Sequence, residues 1–343
     1  MPRLDSDLNR HAWRQQMPLL TMAVFGSGHG FSTLIPAALM TNHFKIFAAT
    51  SRYPMRDNKS KLSYLVLQKT RENLIQNFNF DLAVIAVPPS EQLDLVRILV
   101  KNSSNLYIEK PGGLNSIEAT AIQQLGKENN CEIYVGFQFR FDPGIQYLKK
   151  ALDLPSSNAV NKVSIDWHTT GSNGKKDSFN WRNDPSKGGG VKRDFLVHVV
   201  DYLIHLFGNK NLEKFSDWQV LQDDLNRISI KFSGFIEIEV KISRGFVKES
   251  YWEVKCHGAA DDLIIKHTAP FSNSSYTSND DLFLKCLNKY HKSSDTRIQS
   301  TSQLFAAIAK RISLKVDGPD DLPTIDHSLG AHKLIEGIFN FPS

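Results

Sequence analysis

The sequence predicts an α/β fold: a doubly wound parallel sheet of the Rossmann type, followed by an α+β domain with an open, mostly antiparallel sheet. Three observations carry this. Short apolar runs alternate with helical stretches up to about residue 140. The first run empties into a glycine turn. Beyond about residue 142 the rhythm changes to consecutive strands with tight turns.

The elements follow in order. LLTMAVFG (19–26) is a continuous apolar strand, the kind buried on both faces of a parallel sheet. FSTLIPAALM is helical, FKIFAAT (44–50) is a second strand and LAVIAVP (82–88) a third. EQLDLVRILVKN (91–102) is helical, LYIEKP (106–111) a strand, SIEATAIQQLGKENN (116–130) a helix and EIYVGFQFR (132–140) a strand. A helix near 143–153 opens the second half, before NKVSIDWHTT (161–170). A long apolar helix spans about 190–207. RISIKF, GFIEIEVKIS, SYWEVKCHG and DDLIIKH form strands, with a turn at 233–235. SQLFAAIAKRI and HSLGAHKLIEGIF end the chain as helices. The expected division is a tail at 1–17, a dinucleotide-binding domain at 18–140 and a substrate-binding and oligomerisation domain at 141–343.

Bulk properties narrow the function. A chain of 343 residues, 41% hydrophobic and 22% charged, can bury a large core without metal or disulfide staples. Its net charge of +5 is spread out. No basic stripe is interleaved with aromatics, which argues against a nucleic-acid partner. The surplus reads as a solvated surface, or as attraction for anionic ligands such as a phosphorylated cofactor. Cys131, Cys256 and Cys286 are odd in number and lack metal-ligand spacing, which fits a reducing, cytoplasmic compartment. The apolar run after Arg3, Arg10 and Arg14 is too short to span a membrane and lacks a cleavage pattern, so no membrane association is expected.

The cofactor site is read from the strand ends. Gly26, Ser27, Gly28, His29, Gly30 and Phe31 form a glycine turn between strand and helix, suited to a dinucleotide pyrophosphate; Phe31 replaces the third glycine of the usual fingerprint. The second strand ends at Ser51 and Arg52, where an NAD enzyme usually carries an acid. A guanidinium there would pair with a 2′-phosphate, so NADP(H) is favoured, with NAD(H) the alternative. Val87 and Pro88 end the third strand at the same edge, where ligands of such sheets bind.

Two clusters carry the chemistry. Glu109 and Lys110 end the fourth strand at the same edge and are candidates for cofactor contact; Lys110 could also stabilise negative charge on a substrate oxygen, and Glu109 could pair with Lys110 or cap a neighbour. In the apolar helix, Asp194, His198, Asp201 and His205 recur at steps of four, three and four, forming one titratable stripe. Such a stripe can be a hydrogen-bond ladder, a metal site or an acid–base pair. Beside a dinucleotide fold, Asp194 and His198 read as catalytic, with Asp194 orienting the imidazole, and Asp201 and His205 as structural. No third ligand-rich segment converges, so a metal is not expected. Arg140, His168, Trp181 and Arg182 are further candidates for substrate contact, alongside Lys110, Asp194 and His198.

Taken together, GSGHGF, the SR pair, EKPGG, GFQFRFDPGI, and WRNDPSKGGG with DFLVHVVDYLIHLFG resemble the Gfo/Idh/MocA oxidoreductases over about residues 20–340. The resemblance implies a Rossmann domain followed by an α+β domain whose open sheet often serves assembly, hence a homo-oligomer (dimer or tetramer). It implies that Lys110, Asp194 and His198 match the family's catalytic residues. It also implies hydride transfer to or from a sugar, cyclitol or nucleotide sugar; the wording of RFDPGI and HVVDYLIHLFG is most like members from surface-polysaccharide and acidic-sugar gene clusters. The sequence departs from the family at Gln92, where many members carry His, at the short segment 53–80, and at Lys192-Arg193. Two other functions fit the same features: a glycosidase that uses NAD for transient oxidation, and a catalytically silent NADP-binding regulator.

Overall fold

The structure is a computed structural model that describes residues 19–26, 28–50, 66–67, 75, 79–152, 160–170, 181–258, 263–268, 273–277, 295–315 and 322–340. Six parallel strands form the first sheet: β1 (Leu20–Phe25), β2 (Phe44–Thr50), β3 (Val66–Leu67), β4 (Leu82–Ile85), β5 (Asn105–Ile108) and β6 (Glu132–Val135). Their order is β3-β2-β1-β4-β5-β6. The order reverses between β1 and β4, which opens a crevice at the carboxyl ends of those strands.

Alternation along each strand divides the side chains between two faces. Ala23, Phe25, Ala83, Ile85, Leu106 and Ile108 pack on one side, with α2 (Pro89–Leu99) and α3 (Ser116–Glu128). Met22, Val24, Leu82, Val84 and Tyr107 pack on the other, against α1 (Ile35–Thr41). Both faces are covered, which is why these strands are apolar throughout rather than alternating.

After α4 (Pro143–Leu152), a second sheet contains β7 (Lys162–Thr169), β8 (Trp218–Asp223), β9 (Arg227–Ser233), β10 (Glu237–Arg244), β11 (Tyr251–His257), β12 (Leu263–Thr268) and β13 (Asn273–Thr277). The order is β13-β12-β11-β7-β10-β9-β8. Only the central β7–β10 pair is parallel among the described strands. One face buries Val163, Ile165, Trp167, Val240 and Val254 with α5 (Val197–Phe207). The opposite face carries interlaced charges, among them Lys162, Lys231, Glu237 and Glu239.

Three features differ from the sequence expectation. The strand expected over 132–140 stops at Val135, and Gln138–Phe141 form a tight helical turn that buries all four side chains. The helix expected over about 190–207 begins as a widened turn, Lys192–Leu196, before α5. The two C-terminal helices, α6 (Thr296–Leu314) and α7 (Ile325–Asn340), return to the first half of the chain. Leu304, Phe305, Ile308 and Ala309 of α6 complete the core shared by β1 and α1. Thr324, just before α7, bridges to Tyr134 of β6. Thus the expected boundary near residue 140 separates the two sheets, while the tail of the second segment covers the first sheet.

Candidate functional site

The site is assembled from strand ends of the first sheet and from the segment leading into α5. At the turn after β1, Gly26 has φ +131°, and an added Cβ would lie 2.2 Å from the Ala86 carbonyl oxygen. A side chain cannot occupy that space, so glycine lets the ends of β1 and β4 touch. Gly30 packs closely, with an added Cβ 3.1 Å from Val24 Cγ1. Gly28 differs: an added Cβ would meet nothing within 4 Å. A tight turn, an open approach and close packing are the three demands a dinucleotide turn makes of its glycines. The residues present therefore fit a dinucleotide. Phe31 is half-buried against the β1–α1 core. Ser27, Ser51 and Arg52 lie outside the described residues. Val87 turns its side chain into the core, and Pro88 caps the start of α2, so any ligand contact from Val87 would be through its backbone.

At the end of β5 the chain bends through Glu109-Lys110-Pro111-Gly112-Gly113, with a cis Lys110–Pro111 bond. Gln92 of α2, fully buried, clamps this bend. Its Nε2 donates to the Glu109 carbonyl at 2.7 Å, and its Oε1 accepts from the Gly113 N–H at 2.8 Å. A primary amide can donate and accept at once, which suits it to close such a bend. From the other side, Ser328 and His332 of α7 bond to the Pro111 carbonyl, at 2.5 and 3.2 Å. Both partners lie more than 200 residues away in sequence, and no local pattern identifies them.

Adjacent residues of an extended chain point to opposite sides. Glu109 and Lys110 accordingly diverge rather than pair. Glu109 is buried; its Oε1 accepts from the Tyr107 hydroxyl at 2.8 Å and lies 3.6 Å from His29 Nε2. The Lys110 ammonium donates to Asp194 Oδ1 at 2.6 Å and to the Asp194 carbonyl at 2.5 Å. Arg182 Nε lies 3.2 Å from the other carboxylate oxygen, Oδ2, and the guanidinium sits 4.5 Å over the Trp181 ring. Burial pushes the Asp194 carboxyl up, but Lys110 and Arg182, with Arg244 behind them, hold it below the usual carboxylate range.

The expected orienting contact between Asp194 and His198 does not form, because both Asp194 oxygens are engaged by cations and Asp194 lies on the widened turn, which breaks the α-helical stripe. Aromatic packing places His198 instead. Its ring meets Phe139 edge-on at 4.9 Å, with Phe137 at 6.1 Å and Trp167 at 5.9 Å. Nδ1 is enclosed and has no hydrogen-bond partner among the described residues. Burial, then the charges of Lys110, His29 and Arg297, push the imidazole well below its ordinary value, so it is neutral near pH 7. Lys110 from the first sheet is thus tied to Asp194, four residues before His198 in the segment leading into α5.

Two expected substrate contacts are displaced. Arg140 is 2% exposed and forms a bidentate pair with Asp201 at 2.8 and 2.6 Å, so both residues serve the core. His168 lies on the charged face of the second sheet, where Nδ1 meets Ser243 Oγ at 2.6 Å. Its neighbour Trp167 faces His198. The two ends of this dipeptide occupy opposite faces, and the alternation of Val163, Ile165 and Trp167 is the sequence signal that places His168 outward.

Comparison with known proteins agrees with this fold. Residues 20–137 match the Gfo/Idh/MocA oxidoreductase family model for the NAD-binding Rossmann fold, and residues 159–258 match its C-terminal alpha/beta domain. An oxidoreductase of Formosa agariphila is 30% identical over 214 residues, 60% of this chain and 63% of the relative. A myo-inositol 2-dehydrogenase of Thermotoga maritima is 24% identical, over 50% of this chain and 49% of the relative. The chain spans about half to three-fifths of the length of the first curated relatives it matches. A levoglucosan dehydrogenase, solved with NADH and levoglucosan, shares the fold with a TM-score of 0.74 at 13% identity, over 94% of this chain and 97% of that one.

The environment of His198 makes a direct prediction. An NMR titration of its imidazole should show protonation well below pH 6.5. A midpoint at or above that value would contradict the burial and charge described above.

Proposed function

The chain belongs to the Gfo/Idh/MocA oxidoreductase family, and on that premise we propose that it is an NAD(P)-dependent oxidoreductase acting on the carbinol of a sugar, cyclitol or nucleotide sugar. The observation that carries the reading is the Lys110–Asp194 ion pair, which ties the bend after β5 to the segment leading into α5 and its buried His198, beside a glycine turn whose Gly28 faces open space. When bound, the nicotinamide cofactor accepts or supplies the hydride.

In the oxidative direction, the Lys110 ammonium hydrogen-bonds the carbinol oxygen and stabilises negative charge developing there. Asp194 fixes that ammonium in place. His198 accepts the hydroxyl proton; its neutral state at neutral pH leaves a lone pair for it. Arg182 and Trp181 border the substrate, with Arg182 about half exposed. Arg140 and His168 are not part of this reading.

Arg52, two positions past β2 in the sequence, favours NADP(H), with NAD(H) the alternative. The first sheet holds the cofactor, and the segment beyond residue 140 supplies the substrate side. Buried thiols at Cys131 and Cys256 fit a reducing, cytoplasmic setting. No described helix is long and apolar enough to cross a membrane. The charge-laced face of the second sheet is the surface we assign to a homo-oligomer. The substrates named for the inositol and levoglucosan dehydrogenases support a polyhydroxylated ligand here.

His198→Ala should lower turnover by about 10²–10⁴-fold while cofactor binding is kept, measured by absorbance at 340 nm across a sugar and polyol panel. Turnover close to that of the unaltered protein would reject the base assignment. Arg52→Asp should weaken NADPH binding much more than NADH binding, and an unchanged ratio of the two affinities would remove the NADP(H) preference.

A further inference from the structure

The glycine turn at 26–31 carries no lysine or arginine; its basic side chain is His29. A dinucleotide pyrophosphate brings two negative charges to this turn. His29 adopts helical dihedrals, φ −60° and ψ −34°, directly after Gly28 and its open approach. Its side chain, 29% exposed, reaches from the turn after β1 to Glu109 at the end of β5, with Nε2 3.6 Å from Oε1. Ligands of doubly wound sheets lie across these strand ends. The imidazole therefore stands beside the path of the cofactor.

Charged and titratable groups from four elements surround it. Glu109 and Lys110 come from the end of β5, and Tyr107 holds Glu109 from within the strand. Arg182 approaches from the segment before α5, Arg297 from the start of α6, and His198 from α5. The permanent cations are already matched by carboxylates: Lys110 and Arg182 share Asp194, and Arg297 lies 2.7 Å from Asp295. Among these described groups, His29 is the one basic side chain next to the turn whose charge can change near neutral pH.

We infer that His29 takes up a proton from solvent as the dinucleotide binds and becomes the cationic partner of its pyrophosphate, coupling cofactor affinity to pH through a single residue. The inference rests on the dinucleotide reading above. In the free protein, burial lowers the imidazole pKa, Glu109 opposes that shift, and Arg297, Lys110 and Arg182 add to it. A neighbouring dianion favours the charged form and reverses the balance. The proton is gained from water and returned when the cofactor leaves.

The test is isothermal titration of the whole protein with NADH near pH 7 in three buffers of different ionisation enthalpy. NADH is the suitable probe because it lacks a 2′-phosphate that would titrate in the same range. The expected result is uptake of about half a proton or more per NADH bound, and uptake near zero in His29→Gln and His29→Asn. Above about pH 6.5 the affinity should weaken with rising pH, by at most about tenfold per unit, and this slope should flatten in both variants. NADH binding without proton uptake, or uptake that survives in both variants, overturns the role of His29 and leaves the dinucleotide reading standing. Uptake that disappears instead in His198→Gln moves the proton to the other imidazole and equally overturns it. Binding of neither NADH nor NADPH would overturn the dinucleotide reading, and this inference with it; if NADPH alone binds, proton uptake that does not fall in the two His29 variants overturns the role of His29.

Discussion

One buried carboxylate joins the two halves of this molecule. Asp194 accepts Lys110 from the bend after β5 on one oxygen and Arg182 on the other, and its backbone carbonyl takes a second bond from the same ammonium. A buried ion network is costly to break, because removing one partner strands the charge of the other. The position of the Lys110 ammonium is therefore set by a residue from the far side of the crevice. The place of that ammonium therefore depends on the segments Trp181–Asn183 and Lys192–Leu196 as well as on the end of β5.

The bend that presents Lys110 is held with similar economy. Gln92 ties its two ends together, and α7 reaches back to secure Pro111 through Ser328 and His332. Glu109 is drawn the other way, into contact with Tyr107 and His29. A three-residue stretch thus sends one charged side chain towards the glycine turn and the next towards α5. The glycine-turn side and the α5 side of the crevice are built from neighbouring residues of one strand end.

Much of this arrangement is visible in the sequence. Wholly apolar strands with glycines after the first place Lys110 and the turn at one edge, since parallel strands end together. The apolar helix with polar residues at helical spacing puts His198 at a buried wall. Pair contacts are less readable. The stripe containing Asp194 and His198 suggests a contact that the widened turn at Lys192–Leu196 and two competing cations remove. Arg140 reads from the sequence as a candidate substrate contact; its partner Asp201 lies 61 positions away and becomes evident only in three dimensions. His168 was open to placement from the alternation of β7, which turns every second residue away from the core. Gln92 stands out as a departure from its family, yet its clamp depends on a bend whose shape no local rule specifies.

Kinetic coupling between Lys110 and Asp194 tests the account most directly. In a double-mutant cycle with Lys110→Met and Asp194→Asn, kcat/KM would be measured for the two single variants and the double variant on one accepted sugar or polyol. Groups that act as a unit lose their function together, so the double variant should be little worse than the poorer single variant. Losses that multiply, with each substitution acting independently of the other, would contradict the central role of this ion pair.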